Sequence, residues 1–405
     1  MLEGKIPTLR KDLDLSLIKQ ENEEFVLLID RKKIAETPIA ITKDFLTFLL
    51  FLDSQFTVDS LKEYLKKEFN FENIDNLLSQ IEELDNYGFM ESPSFEEKLK
   101  ANIEQYRKQP FRPMITANRS FPDDAPDFLL FMDELFTKAQ SQNEIKNFDG
   151  IIVPHLDLSL KNYSHRVYAA GYNAIRESEP DLVVIFGTSH FVSSDYFMLS
   201  RKNYETPLGP IEIAQEIIDD LQKELKDDLT IDEEAHRYEH STEYPAVILQ
   251  YLFKGQTKIL PILVGSFYDC MVNKTLPSEQ EKINKFIRTL QKVLKDSNKK
   301  VVYLASVDFS HIGMKFGNEF DALEKLEECK KEDFESIKLI ENLDVDGFFK
   351  KNAETLNKWN ICGLFPIYAF MKTMEPRFGK FLDYNQWYEK ETQSAVTFAS
   401  LGFKV

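Results

Sequence analysis

Cysteine is scarce in this chain. Its three residues, Cys270, Cys329 and Cys362, are odd in number and widely spaced, which excludes a disulfide framework and favours a reducing compartment. Glycine is thin as well, at 14 of 405 residues. No Gly-x-Gly-x-x-Gly, Walker or Gly-x-Ser-x-Gly pattern occurs, so the dinucleotide loop, the phosphate loop and the serine elbow are all missing. Cations are outnumbered: 50 Lys and Arg against 68 Asp and Glu leave a formal charge of −18, the wrong sign for a nucleic-acid surface. No apolar run reaches membrane-spanning length, because Phe45–Leu52 is intense but short. The opening Met-Leu-Glu-Gly-Lys-Ile-Pro lacks the charged-then-apolar layout of a secretory signal. A soluble cytoplasmic protein without nucleic-acid or membrane partners is expected.

What the chain does have is enough apolar material, 43% of 405 residues, for two domains with full cores. Three parts are expected: a small module over 1–95, a connecting and lead-in segment over 96–125, and a larger domain over 126–405. In the first, Leu15–Ile18 and Phe25–Asp30 alternate around a polar break at Glu21–Glu24 and predict a hairpin. Helical spacing follows over Thr42–Asp53, from Thr57, and over Asn73–Asn86 up to Gly88, with Phe89–Ser92 as a closing strand. A hairpin, three helices and a strand outline a winged-helix-like α+β domain. The phrases LLIDRKKI, PIAIT, LLFLDSQFTVDSLKEYL and LLSQIEELDNYGFMES resemble the PqqD-like family of small domains that recognise leader peptides beside radical-SAM enzymes. That resemblance implies a peptide or protein partner, held by strand addition at the hairpin edge. A helical domain that only stabilises its neighbour is the alternative. The segment 96–125 is charged, then rich in Pro and Arg (Gln109-Pro-Phe-Arg-Pro-Met), and suggests a helix running into an extended connection.

From residue 148 strands and helices alternate. Gly150–Pro154, Asp181–Gly187, Lys258–Gly265 and Lys300–Ser306 are apolar runs of strand length. Between them lie helical stretches over 163–178, 211–226, 242–253 and 279–295, and the tail Ser394–Phe403 alternates as a further strand. This predicts an α/β fold with a mainly parallel central sheet flanked by helices. Five residues able to bind metal sit in small turn-like packets at the ends of apolar runs: His155, His190, His240, His311 and Cys362. Four of only six histidines fall there, and in an open α/β sheet the carboxyl ends of strands share one crevice.

Taken in order, VPHLDLSL, VVIFGTSHF, YETPLGPIEI, EHSTEYPAVILQYLF, ILPILVG, ASVDFSHIG, NICGLFPI and SAVTFASLGF resemble the Memo family over about residues 115–405. RSFPDDAPDFLLFMDELF (119–136) is similar to the segment that leads into that domain. The resemblance implies a fold like that of the class III extradiol dioxygenases, which use non-haem iron. A Memo domain with an N-terminal module also resembles protein B of the AmmeMemoRadiSam system, which implies radical-SAM and AMMECR1-like partners. Carried over by motif, His155, His190 and Cys362 would line the metal pocket, with iron(II) the first choice and copper or zinc the alternatives.

The chemistry of the packets fits such a site. Neutral imidazole binds first-row metals, and its second nitrogen is normally held by a carboxylate or carbonyl. Without a metal, His155 and His190 would be buried, hydrogen-bonded core residues. Asp308 and His311, one turn apart, suit general acid–base work; His240 with Glu239 and Glu243 offers a second such group. His236 is expected to be peripheral, His165 to sit at a core edge, and Cys270 and Cys329 to be inert. A thiol near a helix start and a metal would have a lowered pKa, so Cys362 is a ligand or nucleophile, or else a small buried hydrophobe. The family's first packet usually has a small residue and a glycine after the histidine, whereas this chain has Leu156 and Asp157. Asp157 is therefore either an added ligand, an orienting partner, or a cap for the next helix. The related dioxygenases complete their ligand set with a carboxylate where this chain has a thiol, so two functions are carried forward. One is a metal-binding, redox-linked protein of a peptide- or protein-modifying system, with His240, His311 and Asp308 moving protons. The other is a non-catalytic scaffold that binds a peptide or protein in the same crevice.

Overall fold

A computed structural model describes residues 4–20, 23–30, 34–52, 56–71, 73–137, 147–190 and 195–405. The chain forms two compact units, Met1–Gln109 and Pro110–Val405.

The first unit is α+β. Strands β1 (Thr8–Leu9), β2 (Asp14–Gln20), β3 (Glu23–Ile29) and β4 (Ile39–Thr42) precede the helices, and β2-β3-β4 form an antiparallel sheet containing the expected hairpin. Helix α1 (Lys43–Phe51) starts where the Thr42 side chain accepts from the Phe45 amide. Helix α2 (Val58–Phe69) opens on a Thr57/Ser60 capping box and stops at Asn70, φ 49°. Helix α3 (Ile74–Tyr87) ends at Gly88, φ 90°, a left-handed residue that closes the last turn cheaply only as glycine. Strand β5 (Met90–Glu91) pairs with β1, not with the hairpin. Arg10 shows why this arrangement holds: its Nη1 donates to Asp30 at the end of β3 and to the Gly88 carbonyl, both at 2.8 Å. Val26, Leu28, Leu49, Leu61, Ile81 and Phe89 fill the core beneath. Helix α4 (Pro93–Lys108), capped by Ser92, completes the unit.

In the second unit, β6 (Phe111–Arg112) and α5 (Ala125–Thr137) come first, then β7 (Gly150–Val153), α6 (Lys161–Asn173) and β8 (Leu182–Thr188). The chain continues through β9 (Phe197–Leu199), β10 (Asn203–Tyr204), α7 (Gln215–Leu225), α8 (Glu243–Phe253) and β11 (Lys258–Val264). After α9 (Tyr268–Asn273) and α10 (Glu281–Asp296) come β12 (Val301–Ser306) and β13 (His311–Gly313). Helices α11 (Leu326–Glu341), α12 (Val345–Ala353) and α13 (Leu364–Met374) lead into β14 (Phe378–Glu389) and β15 (Ser394–Lys404).

Eight strands make one mixed sheet in the order β13-β15-β7-β12-β8-β11-β9, with β14 also on β15. The expected parallel arrangement occupies its centre, β7-β12-β8-β11, while β15 and β9 are antiparallel to their inner neighbours. Every residue of β7 and β8 is buried, as expected for strands covered on both faces. A Cβ on Gly171 of α6 would lie 2.4 Å from Val153, and one on Gly150 would lie 2.5 Å from Met374 of α13. Residues 150 and 153 point to opposite faces, so α6 and α13 clamp the two sides of β7. The helix expected over 211–226 begins only at Gln215, because Ile211 and Ile213 are taken up in bridges to Tyr204 and Ile259. No helix among the described residues is long and apolar enough to cross a membrane.

Candidate metal centre

Strand register builds the site. Ser306 at the end of β12 is level with Val153 of β7 and Gly187 of β8. His155 lies two residues past Val153, Asp308 two past Ser306 and His190 three past Gly187, so all three leave the sheet at the same edge. His240 arrives on the loop before α8, and Cys362 on the turn before α13. A Cβ at Gly187 would fall 2.7 Å from both Ser241 Oγ and Thr242 Cγ2, so only glycine lets the His240 loop lie directly on the end of β8. Ser241 Oγ fastens that loop by donating to the Thr188 carbonyl at 2.8 Å.

The imidazoles of His155, His190 and His240 form a nearly equilateral triangle, with ring centroids 5.0, 5.1 and 4.9 Å apart. The ligand atoms of His155, His190 and Cys362 all lie within 4.8 Å of one another, as do those of His190, Glu239 and His240. Cys362 Sγ is 3.4 Å from His155 Nε2 and rests against the backbone N and O of Asp308, also at 3.4 Å. The His155 Nδ1–H donates to the Ser306 carbonyl at 3.0 Å, and that of His190 to Glu239 Oε1 at 2.9 Å. His240 Nδ1 lies 3.4 Å from the same Oε1. In His155 and His190 the Nδ1 proton is thereby engaged, leaving Nε2 as the nitrogen able to ligate.

Of the proton-moving residues expected from sequence, Asp308 reaches the site by a different contact. Its Oδ1 accepts from the His155 amide at 3.1 Å and its Oδ2 stands 3.7 Å from His155 Nε2. His311 instead donates through Nδ1 to the carbonyls of Phe309 and Asn360. Asp157 bends back on its own turn, accepting from the Ser159 amide at 2.8 Å, and belongs to neither ligand cluster. Cys270 and Cys329 are buried and belong to neither ligand cluster, and His165 meets the Leu158 carbonyl.

Burial governs the electrostatics. It pushes His155 well below the usual imidazole range, helped by His190 and His240, and brings His311 down to about 4. It raises Asp308 to about 7. Burial, with Asp308 and Glu239 nearby, also raises the Cys362 thiol. Glu239 runs the other way: although buried, it is held far below the usual carboxylate range by His190, His240 and the His190 amide.

Around Glu239 lies a layer that sequence reasoning missed. Arg112, read as part of a linker, is wholly buried. It pairs with the Glu243 carboxylate and donates to the carbonyls of His236 at 3.0 Å and Glu239 at 2.8 Å. Glu243 in turn accepts from the Ile115 and Thr116 amides. The available signal was Glu243 itself, the one charge in the apolar helix EYPAVILQYLF. His236, also buried, donates from Nε2 to the Met198 carbonyl at 2.9 Å and receives the Tyr204 hydroxyl at Nδ1, 2.7 Å away.

His236 gives a pH prediction. Burial lowers it to about 4, against an ordinary value near 6.5, so the unfolded chain takes up its proton first as pH falls. Its stabilisation is complete above about pH 6.5 and declines towards pH 4. Between pH 7 and pH 5 the wild type should lose about 2 kcal/mol more than His236→Gln. Urea midpoints at the two pH values measure this, and equal losses would disprove it.

A family profile described as Memo-like protein matches residues 112–402. The chain belongs to the Memo family. A MEMO1 family protein of Aquifex aeolicus (strain VF5) is 30% identical over 370 residues, covering 90% of this chain and 92% of its own length. That match is longer than Pro110–Val405, so it takes in part of the first unit along with the Memo domain. A MEMO1 family protein of Methanosarcina mazei is 31% identical over 226 residues, 55% of this chain and 71% of its own length. One of Sulfurisphaera tokodaii is 34% identical over 228 residues, 56% and 71% respectively. Every residue of the centre, from Arg112 to Cys362, lies inside the Memo match.

Proposed function

We propose that the Memo domain holds a transition metal on His155, His190 and Cys362, iron(II) before copper or zinc, and serves a redox-linked role in a peptide- or protein-modifying system. The observation that carries this is the convergence of the three ligand atoms within 4.8 Å, from turns separated by up to 207 positions. Two further features support it. The Nδ1 atoms of His155 and His190 are each tied to an oxygen, the outer bonds that orient metal-binding imidazoles. His155, moreover, is held neutral by its surroundings, the form that binds metal.

Two imidazoles and a thiolate suit iron, copper or zinc, and a bound iron would supply one-electron chemistry at positions left open to a substrate. The chain's own residues do the rest. Asp308, raised to about 7, is poised to give or take a proton beside His155. His240, stacked 4.9 Å from His190, either moves protons or adds a third imidazole. His311 has its Nδ1 proton committed to two carbonyls and offers Nε2 as a base. The first unit supplies a docking edge: β2 pairs only with β3 among the described residues, which leaves a seven-residue strand edge for a peptide. The PqqD-like phrases favour a leader-type peptide, with radical-SAM and AMMECR1-like proteins as partners.

The test is metal analysis of protein purified without oxygen. Near-stoichiometric iron is expected, falling at least tenfold in His190→Ala and in Cys362→Ser while circular dichroism stays unchanged. Metal-free wild-type protein that takes up no iron on anaerobic titration would defeat the reading. If that protein still binds a leader-type peptide, the crevice serves as a scaffold.

A further inference from the structure

The connection between α12 and α13, residues 354–363, carries Cys362. Three of its residues are left-handed: Leu356 at φ 50°, Asn357 at 56° and Asn360 at 49°. Asparagine visits that region readily and leucine does not. Such strain persists only where the surroundings over-determine it, and here the restraining bonds converge on the residues just before the thiol.

The Asn357 carboxamide closes on a single residue. Its Nδ2–H donates to the Ile361 carbonyl at 3.1 Å, and its Oδ1 accepts from the Ile361 amide at 3.0 Å. One planar side chain thus uses donor and acceptor together and grips both peptide groups that flank Ile361. The second of these is the Ile361–Cys362 peptide, whose carbonyl the Leu364 amide shares at 3.3 Å. Asn357 is itself anchored, its own amide donating to the Asn352 carbonyl of α12 at 2.8 Å.

Other contacts seat the turn as a body. Thr188 Oγ1 donates to the Cys362 carbonyl at 3.2 Å, and the Gly363 amide to the Asp308 carbonyl at 3.1 Å. A Cβ at Gly363 would stand 2.8 Å from Val307 Cβ, so the turn lies directly on the segment after β12. Upstream, the His311 amide donates to the Trp359 carbonyl at 2.9 Å, and Asn360 Nδ2 to the His311 carbonyl at 3.3 Å. Asn357 is the side chain that grips the peptide entering Cys362.

We propose that Asn357 is a positioning residue: its carboxamide sets the rotation of the Ile361–Cys362 peptide and thereby holds Cys362 Sγ 3.4 Å from His155 Nε2. Without the clamp, Sγ turns out of its seat against the backbone N and O of Asp308. The consequence for metal rests on the reading of Cys362 as a ligand, but the placement of the thiol is measurable without metal.

Two variants of the full chain test it. Asn357→Asp keeps the size of the side chain but turns an oxygen towards the Ile361 carbonyl. Asn357→Gly removes the clamp and suits the left-handed backbone. Metal-free protein is alkylated with iodoacetamide and the rate at Cys362 read by peptide mass spectrometry, with buried Cys270 and Cys329 as internal references. Both variants should react at Cys362 at least tenfold faster than wild type, since a thiol's reactivity follows its access. The reference rates should not change, which separates a freed thiol from general loosening. Cobalt(II) titration gives the second readout. The wild type should show a thiolate-to-cobalt charge-transfer band that falls at least fivefold in both variants, while the ligand-field bands of cobalt on imidazole remain. Wild-type alkylation rates at Cys362 in both variants, equal acceleration at all three cysteines, or a full charge-transfer band in both variants would each overturn the inference. A wild type without that band ends instead the reading of Cys362 as a ligand, and the alkylation rates still decide whether Asn357 places the thiol.

Discussion

Glu239→Ala is expected to damage the centre twice over, in folding stability and in metal affinity. One buried carboxylate serves two histidines: Oε1 takes the His190 Nδ1–H and the Ser241 amide, both at 2.9 Å, and lies 3.4 Å from His240 Nδ1, while Oε2 takes the His190 amide at 2.8 Å. Alanine leaves these donors without an acceptor, at a cost on the order of 3 kcal/mol in unfolding free energy. It also frees the His190 ring to turn and to change tautomer. Loss of such an outer carboxylate typically weakens metal binding by about 10- to 100-fold. Glu239→Gln separates the two effects: it keeps the shape but opposes an amide NH₂ to N–H donors, so affinity should fall further than stability. Chemical denaturation together with competitive chelator titration reads both quantities. An Ala variant with wild-type midpoint and metal affinity would show that Glu239 does not orient the site.

The second large effect is expected at Arg112. Its guanidinium is fully buried, lies 4.9 Å from the centre of the Tyr204 ring, and joins the lead-in segment to the loop carrying His236 and Glu239. Arg112→Met strands the Glu243 carboxylate in the interior, and breaking one side of a buried pair costs about 3–5 kcal/mol. Arg112→Met with Glu243→Gln should recover part of that loss, because no buried charge is then left unpaired. If the double variant is as unstable as the sum of the singles, the pair is not coupled. The loop it pins presents Glu239 and His240, so metal retention should fall with stability in the single variant.

Much of the fold was legible because its signals are local. Thr42 and Thr57 marked helix starts and Gly88 a helix end through side-chain and backbone geometry confined to a few residues. The uninterrupted apolar runs of β7, β8 and β11 announced strands covered on both faces. The mixed character of the sheet was not legible, since β15 and β9 could pair in either direction without altering their own sequences. The start of α7 was misplaced for a similar reason: Ile211 and Ile213 fit a helix until Tyr204 and Ile259 offer them bridges.

The centre divides along the same line. By itself the sequence determined which groups are available: four histidines and a cysteine in turn packets, a mainly parallel sheet whose strand ends share one crevice, and the Memo motifs that surround them. Tertiary structure alone decided the assignments. It gave Asp308 to His155, placed Glu239 between His190 and His240, closed Asp157 on its own turn, and buried Arg112 out of a segment that looks like linker. The physical reason is that periodicity and capping are fixed by neighbours along the chain, whereas a buried charge takes its partner from whatever the fold brings within hydrogen-bonding distance.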